Sequence, residues 1–384
     1  MKSASVIITS YNYGRFLRET INSALAQIYP QTEVVIVDDG SRDNSREVIS
    51  SFGNRIISIL KENGGQGSAF NAGFSASHGD VVCFLDSDDV LLPEALARAV
   101  PVLDNPDVVK VNWQLCIIDA QSHKTGAVLP EKIENLPDGD LKELVVREGP
   151  FYDWNITPPT SGNAWSRRFL DQIFPMPEPP YRVCADEYML TLAPIYGEVR
   201  KITEPLSCYR SHGDNHGWNH PFTDEKIDDD IQRFERSSVA LKEHLSKMGV
   251  AADVETWKSR NFNYVWLSRF KRAKQDLMRI TPLGSTIILV DEYDWGDMPL
   301  PGRSIVSPLE KNGEYLHHPA TSAEAVESVE LLRNRGAMFI AFWWTAFWWF
   351  EKYPELASHL RDNYATAADN DRLVVYDLAA QRNA

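Results

Sequence analysis

Hydrophobic and polar positions over the first 115 residues switch between two periods. Short apolar, β-branched runs at 5–9, 33–37, 56–60 and 81–85 have strand length. The segments between them, 16–27, 45–52 and 67–76, carry apolar residues at helical spacing. Such βαβαβαβ order predicts a mostly parallel sheet with helices on both faces. A helix at 93–103 and a strand at 108–113 extend the pattern, but from 117 to 159 no period holds. Prolines between 158 and 180 predict long loops packed around a site. Residues 225–280 read as mixed-charge helix, with an amphipathic stretch at 264–278. Strand patterns return at 286–290, 338–342 and 373–376, separated by helical segments at 322–334 and 348–363. The expected division is an α/β domain over 1–224, a helical linker over 225–280 and a smaller accessory α/β domain over 281–384.

Parallel strands offer ligands their carboxyl ends. The ends here deliver Thr9 to Asn12, then Asp38 with Asp39, then Asp86, Asp88 and Asp89 in the stretch VVCFLDSDDVLLP. Crowded carboxylates repel one another, so such a cluster marks a bound cation or a shared proton, and oxygen-only donors favour Mg²⁺ or Mn²⁺ over zinc. A solvated turn capping the next helix would explain the DSDD stretch taken alone. A second acidic strand end opening on the same crevice is what argues for a site.

Composition removes several alternatives. A net charge of −15 argues against nucleic acid as the main partner, because phosphate backbones are held by Lys and Arg. The four cysteines, Cys83, Cys116, Cys184 and Cys208, have no CxxC spacing and are expected to be reduced. The start, MKSASVIITSYN, reads as a first strand rather than a signal peptide, and the apolar stretch at 337–350 is too short to span a bilayer. The expectation is a cytoplasmic protein without a transmembrane segment, with room for peripheral contact at the inner membrane surface and for homo-oligomers. The glycine-rich NGGQGSAFNAG fits neither the GxGxxG fingerprint nor a Walker loop; it reads as a loop whose amides approach a ligand at a helix start.

Three segments in order, SVIITSYNYGRFL, VVIVDDGSRDNS and ENGGQGSAFNAGFSASHGDVVCFLDSDD, resemble the nucleotide-binding half of the inverting, GT-A-fold glycosyltransferases of family 2. The resemblance is dense over about the first 115 residues and thinner to about 220. It implies a nucleoside-diphosphate-sugar donor, by family default a UDP-sugar, and a hydroxyl-bearing glycan or glycoconjugate acceptor in polysaccharide or glycoconjugate assembly. Donor contacts would come from Thr9, Tyr11, Asp39, Gly65, Gln66, Asn71, Asp86 and Ser87. A divalent Mn²⁺ or Mg²⁺ would be held by Asp88 with Asp86, and His212 is a further ligand candidate. A diphosphate entering between these carboxylates needs a cation in any case.

Displacement at a sugar carbon also needs a base for the acceptor hydroxyl. The segment YRVCADEYMLTLAPIYG offers Asp186 and Glu187 at the start of an apolar helix, and the resemblance assigns the role to Asp186, with Glu187 the alternative. The plain reading is that both acids favour a helix N-terminus. His212, His216 and His220 recur every four residues, but Gly213 and Gly217 interrupt any helix that would align them. Trp165 and Asn163 are expected on the acceptor side. Phe70 stands where many relatives carry an arginine, which removes one positive contact to the donor. The alternatives are a nucleotide-holding module without activity and, with less support, a sugar-1-phosphate nucleotidyltransferase, which would need a basic glycine-rich loop after the first strand. In the tail, DEYDWGD follows a strand, and Trp343, Trp344, Trp348 and Trp349 read as core or interface.

Overall fold

The computed structural model describes residues 2–150, 157–213, 215, 222–292, 294–296, 298–311, 314–315 and 317–381. They form two compact units, residues 1–219 with 232–261, and residues 220–231 with 262–384. The stretch expected as a linker is thus divided between them.

In the first unit, β1 (Ala4–Ser10), β2 (Thr32–Asp39), β3 (Ile57–Lys61) and β4 (Val81–Asp86) pair in parallel in the order β3-β2-β1-β4. The remaining strands are β5 (Val90–Leu91), β6 (Val108–Ile118), β7 (Lys124–Leu129), β8 (Asn163–Ser166) and β9 (Glu198–Arg210). Short β8 lies antiparallel between β4 and β6, β9 runs parallel to β6, and β5 and β7 close the edges. Seven helices connect these strands: α1 (Gly14–Leu25), α2 (Ser45–Ser50), α3 (Gln66–Ala76), α4 (Ala95–Leu103), α5 (Lys142–Glu148), α6 (Arg167–Ile173) and α7 (Asp186–Tyr196). The unbroken apolar strands are explained by two cores. Val6, Ile8, Ile36, Cys83 and Leu85 face α1, α2 and α4, whereas Ile7, Val35, Val82 and Phe84 face α3, α6 and α7. Gly73 lets α3 close on β1, since a Cβ there would stand 2.4 Å from Ile7 Cγ2. Strand β7 and helix α5 lie inside the stretch expected to be irregular, each too short for its period to register.

Helices α8 (Asp224–Lys247) and α9 (Val254–Arg260) follow, then α10 (Phe262–Ile280) in the second unit. That unit is a sheet of order β11-β10-β14-β16-β15, built from β10 (Thr286–Val290), β11 (Ser304–Val306), β14 (Phe339–Trp343), β15 (Tyr364–Asp369) and β16 (Leu373–Gln381). A separate antiparallel pair joins β12 (Glu310–Lys311) to β13 (Glu314–Tyr315). Helices α11 (Ser322–Asn334), α12 (Trp349–Lys352) and α13 (Pro354–Asn363) cover one face, and α10 covers the other. Trp343 and Trp349 are buried and Trp344 and Trp348 half-buried, so the aromatic run is mostly core. The cysteines are free thiols. No helix among the described residues is long and apolar enough to cross a membrane.

Candidate active site

Strand register assembles the site. Thr9 pairs with Asp86 across β1 and β4, Ser10 with Asp38 across β1 and β2, and Asp39 with Lys61 across β2 and β3. These strand ends open on a cavity of about 370 Å³ lined by Thr9, Tyr11, Tyr13, Asp39, Gly65, Gln66, Asp86, Ser87, Asp88, Thr160, Arg182, Val183, Asp186 and Tyr209, among others. Asp38 points elsewhere: it is buried against Arg46, whose Nε donates to it at 2.7 Å.

Asp39 shapes one wall. Its carboxylate accepts from Lys61 Nζ at 2.6 Å, Asn63 Nδ2 at 3.1 Å, and the amides of Gly64 and Gly65 at 2.9 and 2.8 Å. The glycine-loop amides expected to approach a ligand therefore serve Asp39 instead. The same loop is joined to the segment before α7. Gln66 N donates to the Arg182 carbonyl at 2.8 Å, Gln66 Oε1 accepts from Ala185 N at 2.8 Å, and Arg182 Nη1 donates to the Gly64 carbonyl at 3.0 Å. Gly65 adopts φ +90°, and a Cβ there would stand 2.8 Å from Arg182 Cα. Gly65→Ala is accordingly expected to destabilise the fold by about 1–3 kcal/mol and to weaken nucleotide binding, read as a lowered unfolding midpoint and a loss of ligand-induced stabilisation.

The acidic end of β4 is electrostatically strained. Burial first, then the charges of Asp88 and Asp186, hold the Asp86 carboxyl well above the usual carboxylate range, and Asp89 is raised by burial, Asp88 and Asp86. Asp88 Oδ2 lies 2.9 Å from His212 Nε2. The imidazole is set by Tyr13 and Phe16, ring centroids 5.5 and 4.9 Å away, and by Asn215 Oδ1, which accepts from the His212 amide at 2.9 Å. Arg210, fully buried, fastens the turn: its amide donates to Asp89 Oδ1 at 2.9 Å and its Nε to the Asp88 carbonyl at 2.6 Å. His216 and His220 lie outside the described residues.

Asp186, in the first turn of α7, also lines the cavity. Burial, then neighbouring Glu187, pushes its carboxyl up to about 6, against Arg233 and Thr160, which lower it. Glu187 is instead locked in ion pairs with Arg233 and Arg236 and is not among the lining residues.

Three expected contacts are corrected. Trp165 and Asn163 sit on β8, sandwiched between β4 and β6, and are buried rather than turned to an acceptor. Trp165 stacks on Phe169, and Asn163 Nδ2 donates to the carbonyls of Pro158 and Pro159 at 3.2 and 2.8 Å. Asn71 faces away from the cavity and latches the segment after α6, exchanging bonds with Met176 O and N at 3.0 and 2.9 Å. Phe70 is fully buried and stacked on Phe84, centroids 4.3 Å apart, so this position packs and cannot contact a ligand.

Several contributors went unread in the sequence. Thr160, on the turn that Asn163 holds, lines the cavity and lowers the carboxyls of both Asp86 and Asp186. Its only signal was the preceding Pro158-Pro159 pair. Arg182 supplies a cation to the cavity wall. Lys110, buried on β6 under the Trp165 ring at 5.5 Å, is pushed down to about 7 by burial, with the charge of Asp186 opposing.

The family model for glycosyl transferase family 2 matches residues 5–169. An uncharacterised glycosyltransferase of Nostoc sp. is 37% identical over 295 residues, covering 74% of this chain and 88% of that protein. Among solved structures, Staphylococcus aureus TarS 1–349 in complex with UDP-GlcNAc gives a TM-score of 0.47 at 17% identity, over 69% of this chain and 81% of that one. The mannosyltransferase PcManGT of Pyrobaculum calidifontis, in complex with GDP-Man and Mn²⁺, gives 0.44 at 20% identity, over 73% and 76%. With 37% of positions identical across most of the Nostoc protein's length, this chain belongs to glycosyltransferase family 2, and its reaction is the transfer of a glycosyl group.

Proposed function

We propose that the protein is a metal-dependent, inverting transferase that moves a sugar from a nucleoside diphosphate, a UDP-sugar in the first instance, to a hydroxyl of a glycan or glycoconjugate. The observation that carries the reading is one cavity with two kinds of acid. Asp86 and Asp88 line it from the β4 end, and Asp186, on another element, is pushed up to about 6.

The residues at the floor fit a divalent metal. Burial and the charges of Asp88 and Asp186 raise the Asp86 carboxyl, a crowding that a cation would relieve, and Asp88 with His212 sets an oxygen and a nitrogen 2.9 Å apart. Mg²⁺ and Mn²⁺ are commonly held by one or two carboxylates together with substrate phosphates, a role open to Asp86 and Asp88. Bound there, Mn²⁺ or Mg²⁺ would neutralise the leaving diphosphate.

The chain's own groups do the rest. Tyr11, Asp39 and the Gly65–Gln66 turn would frame the nucleoside, and Arg182 replaces the cation lost at Phe70. The acceptor O–H proton passes to Asp186 as the acceptor oxygen bonds the anomeric carbon and the carbon–phosphate oxygen bond breaks, its electron pair leaving on the diphosphate. With Asp186 acting as a base rather than as a nucleophile, the transfer is one displacement, hence inversion. Glu187, held by two arginines, is unavailable for a covalent step.

UDP, GDP, CDP and dTDP, each with Mn²⁺, Mg²⁺ or EDTA, separate the possibilities by thermal shift. A ligand at a hundredfold excess over its Kd stabilises the native state by about 2.7 kcal/mol. One nucleotide is expected to raise the midpoint with metal and to do little with EDTA. Stabilisation that EDTA leaves intact would remove metal dependence from the reading, and no shift with any nucleotide would remove the donor site.

A further inference from the structure

Helix α8 brings two arginines onto the residue next to Asp186. Arg233 Nε donates to Glu187 Oε1 at 2.7 Å, and Arg236 donates to Oε2 through Nε at 3.1 Å and through Nη2. Arg236 also donates from Nη1 to the Pro180 carbonyl at 3.0 Å and lies over the Tyr181 ring at 5.2 Å. The Glu187 side chain is 1% exposed and that of Arg233 7%. Buried ion pairs are a poor source of net stability, because desolvation offsets the attraction, so a clamp this complete suggests another role.

Its place on α7 supplies one. Asp186 and Glu187 are consecutive in the first helical turn, so their side chains leave the axis about 100° apart. Fixing Glu187 against α8 fixes the rotation of that turn. Asp186 then has one direction, toward the cavity it lines. The clamp also offsets the charge of the neighbouring carboxylate: two guanidinium groups face one Glu187, and the charges acting on Asp186 are Asp86 from the β4 end, Lys110 from β6, and Glu187 with Arg233 from α7 and α8.

We propose that Arg233 and Arg236 are positioning residues for Asp186: by gripping Glu187 they set the first turn of α7, aim the base carboxylate into the cavity, and make α8 part of the transfer machinery. The proposal rests on Asp186 being the base. Glu187 is then the handle by which the base is held.

Four variants test it: Arg233→Met, Arg233→Lys, the milder Arg236→Gln, and Asp186→Asn as reference, each first shown to unfold cooperatively. Nucleoside diphosphate release from UDP-glucose, UDP-N-acetylglucosamine and GDP-mannose with Mn²⁺ gives kcat and donor KM. Hydrogen exchange of amides 181–190 is read alongside and needs no substrate. Displacing a catalytic group by about 1 Å costs on the order of 100-fold. Arg233→Met is therefore expected to lose about 10- to 100-fold in kcat with donor KM within about twofold, Arg233→Lys to recover most of it, and both Arg233→Met and Arg236→Gln to exchange faster over 181–190. Wild-type kcat in folded Arg233→Met beside an inactive Asp186→Asn overturns the proposal while sparing the base. Unchanged exchange in Arg236→Gln also overturns it, whichever donor is used. An active Asp186→Asn instead overturns the reading of the base itself.

Discussion

Replacing Asp186 with asparagine is expected to lower kcat by about 10²- to 10⁴-fold, the usual worth of a positioned general base, and to leave nucleotide-induced stabilisation unchanged. Asparagine keeps the shape but cannot take a proton. Because Asp186 is held near 6, wild-type transfer should be full above that pH and fall as pH drops through about 6, where the carboxyl becomes protonated. The asparagine variant should lose that acidic limb. A variant that also loses nucleotide binding would make Asp186 a donor contact, and a retained acidic limb would move the base elsewhere in the cavity.

The second large effect belongs to Asp88. Among the described contacts of its carboxylate is the bond to His212, and Arg210 holds the turn through the Asp89 carboxylate and the Asp88 carbonyl, both of which the substitution leaves in place, so Asp88→Ala should fold. Metal charge stabilisation is worth several kcal/mol, so transfer should fall by about a thousandfold or more, and the metal-dependent part of the nucleotide thermal shift should vanish. His212→Gln, keeping a neutral donor beside Asp88, is expected to fall between wild type and Asp88→Ala. If Asp88→Ala keeps its metal-dependent shift, the cation is held by other groups.

Local pattern carried the parallel half of the first unit, because β1 to β4 and the helices between them are regular and covered on both faces. The same regularity exposed Thr9, Asp39, Asp86 and Asp88, whose positions follow from being at strand ends. Elsewhere the sequence misled where a polar residue serves the backbone. Asn163 holds prolyl carbonyls, Asn71 holds Met176, and Trp165 belongs to a four-residue strand whose insertion between β4 and β6 no period announces. Arg182 and Arg233 were beyond reach for another reason. Arg182 acts through a loop more than 100 residues away along the chain, and Arg233 lies in a helix whose mixed charge looks like an ordinary solvated face.

The interleaving of the two units bears on inheritance. Residues 220–231 belong with the second unit although the chain then returns to the first for 232–261. A single genetic crossover at any point near the junction therefore severs one unit or the other. Exchange of the second unit for a different module needs three breakpoints, with α8 rebuilt from both parents. Lineages carrying this arrangement should pass the pair on together, and chimeras joined at one site between 220 and 261 should be recovered mainly as insoluble or inactive chains.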